Sequence, residues 1–121
     1  MPGTLIFRPI KGTFNVEKDK TIEPYCKFTM GWRSGKTAAA EDDQGNEVEW
    51  NSVIQLARKH NEEYAKIKVK DNQRFFRKGI GQAIISLDRV ISYGKQTEWF
   101  DITHKDKVVG EVLLDIEYIT Y

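Results

Sequence analysis

The chain has little of several things that would settle its class at once. Its one cysteine, Cys26, leaves no internal disulfide to staple it, so it does not belong with small secreted frameworks and a cytoplasmic placement is the default. Two histidines, His60 and His104, lie far apart with no cysteine beside them, which argues against zinc. No apolar run is long enough to span a bilayer as a helix, and Met1-Pro-Gly-Thr4 lacks the basic and apolar regions of a secretory signal. Excess charge of one sign is missing too: 19 basic against 18 acidic residues leave a net +1, so no global field draws the protein to nucleic acid or lipid. Any electrostatic function must be local. A glycine-rich phosphate loop and a Gly-x-Ser-x-Gly elbow are likewise absent, and nothing here reads as an enzyme.

Short alternating segments are abundant. Cys26, Phe28 and Met30 share one parity, as do Ala65, Ile67 and Val69, and then Val112, Leu114, Ile116 and Tyr118. Glycine-containing turns at 31–35, 44–46, 79–81 and 94 separate such segments, and at 121 residues one domain spanning 1–121 is expected, with no internal repeat or linker. The pattern predicts an all-β, eight-stranded antiparallel sandwich whose core includes Leu5, Phe7, Phe28, Ile54, Ile67, Val69, Ile85, Leu114 and Ile116. Pro9 cannot donate to a ladder, so the first strand carries a bulge there or lies at an edge. One stretch reads two ways: apolar residues at 53, 56, 57, 64 and 67 also fit a helix, supported by Glu62, Glu63, Ala65 and the lysines.

Six short strings fall in an informative order. They are Leu5-x-Phe7-x-x-Ile10-x-Gly12, Glu17 six residues before Glu23-Pro-Tyr25, Gly45-Asn46 ahead of Trp50-Asn51, Val69-x-Asp71-x-Gln73 leading to Lys78-Gly-Ile-Gly81, Trp99-x-x-Ile102, and Gly110-x-Val112-x-Leu114-x-Ile116. Together they resemble a C2 domain over the whole chain. The order of strands implies the permuted, phospholipase C delta-like topology and a C2-like Greek key. The resemblance favours strands over a helix between residues 53 and 70, and places Trp50 and Trp99 in the core.

The resemblance also implies that Glu17, Glu23, Asp71, Gln73 and Lys78 occupy calcium-loop positions, but in degenerate form. Calcium needs several carboxylates converging from different loops. Here glutamates replace two aspartates, Gln73 replaces a carboxylate, and Lys78 stands where the family has an acid. A unit positive charge about 4 Å from a divalent cation repels it by roughly 8 kcal/mol at an effective dielectric near 20. No cofactor or metal is therefore expected; Lys78 or Arg77 would instead neutralise the acids, and calcium-dependent phospholipid binding is the alternative.

Two surfaces are candidates for docking. The third loop carries Arg74, Phe75, Phe76, Arg77 and Lys78, basic residues flanking aromatics that suit an anionic membrane. Residues 70–78 carry +3, but 41–46 carry −3 and 17–23 carry −1, so the loop end as a whole is of mixed charge and also suits a protein partner. The second candidate is Lys66, Lys68 and Lys70, alternating opposite the core face of their strand, with Lys27, Arg33 and Lys36 extending it if the strands adjoin. Such basic strand faces bind phosphoinositide head groups in the family, though an alternating lysine face is more commonly plain solvated surface. Cys26 is expected in the core, and Trp32 is the tryptophan expected to be exposed. The expectation is a non-catalytic, calcium-independent docking module, cytoplasmic and associated with a peripheral membrane or cytoskeletal site, acting on a protein partner or an anionic phospholipid surface and not on nucleic acid.

Overall fold

The computed structural model describes residues 2–15, 22–40, 47–72 and 77–120, with residues 77 and 78 described by their backbone alone. Among these residues nine strands and one short helix follow in the order β1 (Gly3–Phe14), β2 (Pro24–Met30), β3 (Arg33–Lys36), β4 (Glu47–Glu49), β5 (Ile54–Arg58), β6 (Tyr64–Asn72), β7 (Arg77–Ser86), α1 (Asp88–Tyr93), β8 (Lys95–His104) and β9 (Lys107–Thr120). The hydrogen-bonded path runs β3-β2-β6-β7-β8-β9-β1-β4, with β5 also on β1. Every pairing is antiparallel. β7 and β8 share a single register pair, Gln82 opposite Thr103, so the ladder turns over at that corner and its halves face each other.

One half, β3-β2-β6-β7, is called sheet one below, and the other, β8-β9-β1 with β4 and β5, sheet two. Phe7 of β1 stacks on Phe28 of β2 across the interior, ring centroids 4.8 Å apart. Because β4 and β5 pair with successive parts of β1, they form one interrupted edge, and the sandwich keeps its expected eight-strand plan.

Alternation explains the core. Leu5, Phe7, Phe28, Ile67, Val69, Ile85, Leu114 and Ile116 are fully buried, and Ile54 packs against them while remaining partly exposed. Each such side chain contributes about 1.5–3 kcal/mol by leaving water. Pro9 sits at a register shift between Pro9 and Lys11, the bulge that its missing N–H requires. Residues 54–58 and 64–72 are two strands. There the period-2 run Ala65, Ile67, Val69 prevails over helix propensity because it places all three side chains inside.

Two expectations need correction. Trp99 is 41 % exposed, because Phe100 and Ile102 take the inward parity of β8. Gly79–Gly81 lies within β7, where a register shift falls opposite Val69 and Lys70; it is not a turn. Gly81 sits where β7 meets β8: a Cβ there would lie 2.7 Å from Ile102 Cγ2 and 2.8 Å from the Thr103 carbonyl oxygen, so the corner closes only around glycine. A short helix, α1, fills the link before β8, burying Val90 with Leu87 just ahead of it, and ends on Gly94 in the left-handed region.

Candidate functional site

Three loop roots converge at one end of the sandwich. The backbone N–H of Glu23 donates to Asp71 Oδ1 at 3.0 Å, and Asn72 N–H returns a bond to the Glu23 carbonyl at 3.0 Å. Pro24 offers its carbonyl to the N–H of Ala40 at 2.8 Å and to Trp50 Nε1 at 2.9 Å. Of the calcium-loop positions, Asp71 is buried, Glu23 is exposed, and the backbone of Lys78 lies directly opposite Asp71. Arg77 pairs with Asn72. Glu17 and Gln73 lie outside the described residues, as do Arg74, Phe75 and Phe76 of the tip. Asp71 thus works as an internal acceptor holding two loop roots together. Among the described residues no group of three or more His, Cys, Asp or Glu is placed to hold a metal.

The lysine face is assembled more completely than its own strand reveals. β2 lies between β3 and β6, so Lys27 stands opposite Lys36 on one side and opposite Lys68 on the other. The cross-strand row continues from Lys68 to Gln82 and from Gln82 to Thr103. Lys66 pairs with Thr29, and Lys70 with Tyr25, whose ring lies 5.8 Å below Lys36 Nζ. Five lysines (27, 36, 66, 68 and 70) therefore share the outer face of sheet one, each at least partly exposed, with no carboxylate on that face and no acidic partner among the described residues. Arg33 does not join them: it takes the inward parity opposite Met30 and pairs with Glu62 at 3.4 Å.

A cleft of about 430 Å³ opens beside this row, where Lys68, Lys70 and Gln82 meet Thr103, His104 and Lys105 of the β8–β9 turn. Lys105 and Asp106 both have positive φ, 51° and 64°, as a tight hairpin between paired His104 and Lys107 demands. The turn adds one cation, Lys105, and one carboxylate, Asp106, to the rim.

The outer face of sheet two has the opposite character. Glu47, Glu49, Asp101, Glu111, Asp115 and Glu117 point outward there, against Arg8, Lys11 and Lys95. Arg8 lies 3.3 Å from both Asp115 and Glu117, and Lys11 is 4.0 Å from Glu47 while sitting 5.7 Å over Trp99. A net charge of +1 therefore conceals two faces of opposite sign. Sequence counting missed this, because the segregation depends on which parity of each strand faces out.

At the end away from the loops, Trp32 is 79 % exposed, as expected. Its ring is 5.3 Å from that of His60 and 5.4 Å from the guanidinium of Arg33. Glu62 organises the cluster, accepting the N–H of His60 at 2.7 Å as well as facing Arg33. Burial works to raise its carboxyl, but hydrogen bonds from the backbone of Glu62 and His60 and the charges of His60 and Arg33 outweigh that and hold it below the usual range. Cys26 is fully buried, and burial pushes its thiol far up.

Comparison with known proteins agrees with this architecture. A family model described as C2 domain matches residues 4–102. The ingression protein fic1 of Schizosaccharomyces pombe is 25 % identical over 123 residues, covering 97 % of this chain but only 44 % of that protein, so the chain spans less than half of that relative. Among solved structures, a C2 domain-containing protein from a putative elicitor-responsive gene is 21 % identical with a TM-score of 0.80, covering 96 % of this chain and 88 % of that one. A C2 domain of plant extended synaptotagmin 1 superposes with the same TM-score of 0.80 at 14 % identity, covering 98 % of this chain and 95 % of that one.

Proposed function

The chain belongs to the C2 domain family, and from that premise we propose that it is a non-catalytic module docking onto anionic membrane surfaces through the lysine face of sheet one, without calcium. The observation that carries this reading is the row Lys36–Lys27–Lys68, flanked by Lys66 and Lys70 on a face without carboxylates among the described residues. Each lysine near an anionic leaflet gains about 1 kcal/mol, so five contribute about 5 kcal/mol, which corresponds to docking between millimolar and micromolar. No helix among the described residues is long and apolar enough to cross a membrane. Association at the periphery is the mode this surface supports. The fission-yeast relative is named for ingression, a setting that fits a module working at a membrane.

The calcium-free part of the reading rests on Asp71. One of its oxygens already receives the Glu23 N–H, and the backbone of Lys78 lies opposite it. Both features favour a loop end held together internally over one awaiting an ion.

Sedimentation with phosphatidylcholine vesicles containing phosphatidylserine, in the presence of a chelator, tests the proposal. Binding is expected, with Lys27→Glu plus Lys68→Glu abolishing it. If those reversals leave binding intact while Phe75→Ala with Phe76→Ala removes it, the docking site is the third loop. Binding that appears only when calcium replaces the chelator restores the calcium-dependent alternative. A domain that ignores vesicles in both conditions is a protein-docking module.

A further inference from the structure

The lysine face does not end in polar residues. Ile84 stands opposite Lys66 on β7 and is 58 % exposed; Tyr64, two positions before Lys66 on the same face of β6, is 59 % exposed. The Gly31–Trp32 turn follows β2 directly, and the pairing of Thr29 with Lys66 brings that turn beside Tyr64. Isolated exposed apolar residues are ordinary. Three large ones gathered at the end of a face bearing five lysines are not, and all three lie at the end away from the loop roots.

We infer that the domain meets the membrane tilted toward this end, with Trp32, Tyr64 and Ile84 entering the head-group zone below the lysines and the loops held away from it. The inference rests on the proposed membrane reading and adds to it an orientation and a set of inserting residues. Tryptophan and tyrosine favour the membrane interface, where an apolar ring and a polar edge are both accommodated. The Trp32 ring is already braced by Arg33 at 5.4 Å and His60 at 5.3 Å, and Arg33 is fixed by Glu62 at 3.4 Å, so little side-chain freedom remains to be lost on insertion. Lysines above and aromatics below also match the order of phosphate and acyl chain met on entering a leaflet. A lipid surface is the occupant that uses both.

Fluorescence in a Trp99→Phe background tests this. Trp50 is buried, so Trp32 is the reporter able to respond. Adding phosphatidylserine-containing vesicles is expected to shift emission to the blue, and brominated lipids are expected to quench it; Trp32→Phe in the same background should remove both signals. Trp32→Ala alone should weaken partition about tenfold or more, because that ring's transfer energy is lost. With Tyr64→Ser and Ile84→Ser added, binding should fall to the limit of detection, while circular dichroism and the melting temperature show the fold retained. If Trp32 stays unquenched and the triple variant binds as well as the parent, yet Lys27→Glu with Lys68→Glu abolishes binding, the face docks flat by charge alone; the tilt is then wrong and the membrane reading stands. If the triple variant instead removes self-association seen by ultracentrifugation and leaves partition unchanged, the patch is an interface between copies. No vesicle binding by the parent sinks both readings.

Discussion

Lys27 and Lys68 stand directly opposite each other on adjacent strands, two like charges in register with no carboxylate on their face among the described residues. Like charges in that position destabilise a sheet, by an amount comparable to the roughly 0.2–1 kcal/mol that opposite charges contribute. Lys68→Ala should therefore raise stability by a few tenths of a kcal/mol while weakening vesicle binding severalfold. Chemical denaturation and vesicle sedimentation on the same protein check the pair of effects, and a variant that loses stability as well as binding would mean that these lysines hold the sheet together.

Asp71 should behave as an internal fastener. Asp71→Ala leaves the Glu23 N–H without its acceptor and is expected to cost about 1–3 kcal/mol, whereas Asp71→Asn, which keeps an oxygen there, should cost much less. Millimolar calcium should leave the melting temperature of the parent unchanged. A bound ion at a hundredfold excess over its dissociation constant would contribute about 2.7 kcal/mol, a shift of several degrees in a domain of this size.

The Cys26 thiol is buried, and its titration is pushed far above neutrality. Thiolate is the reactive form, so alkylation in the native state at neutral pH should be limited by unfolding. Labelling should therefore accelerate in denaturant in parallel with loss of the fold, and fast labelling of the native protein would contradict the packing of β2.

Glu62 gives stability a dependence on acid. A carboxyl held below its ordinary range stabilises the folded state fully above the ordinary value, near pH 4.3, and that contribution is lost as pH falls through the folded value. Glu62→Gln should be less stable than the parent at pH 7 by about 0.5–1 kcal/mol, since its ion pair with Arg33 is only partly buried. The two proteins should converge toward pH 3. Melting temperatures across that range decide it.

Much of the fold can be read from strings of alternating residues, because burial on one side imposes period 2 whatever the partner strand. Pro9 announced its bulge by chemistry alone. Trp99 was misplaced because a family position outweighed the parity of its own strand, where Phe100 and Ile102 already occupied the inside. The helix Asp88–Tyr93 is too short for a 3.6-residue period to emerge. Lys66, Lys68 and Lys70 could be picked out, and Lys27 and Lys36 could be named as an extension only on the condition that their strands adjoin, alongside Arg33, which the structure turns inward. Lys27 and Lys36 join them only because β2 lies between β3 and β6, a fact of pairing that no local pattern carries.

The two oppositely charged faces make the molecule an electric dipole across its thin dimension. Two packed sheets are separated by about 10 Å, which is also about the Debye length at 0.1 M salt. At that ionic strength a membrane's field reaches the lysines but is largely spent before the far carboxylates, so the domain is pulled as though it carried five charges. In dilute salt, about 0.01 M, the field extends about 30 Å and acts on both faces at once. The far carboxylates then offset part of the lysines' attraction, and the same field exerts a torque that turns the basic side inward. Vesicle affinity should accordingly decline with added salt less steeply than that of a uniformly basic protein carrying the same five lysines.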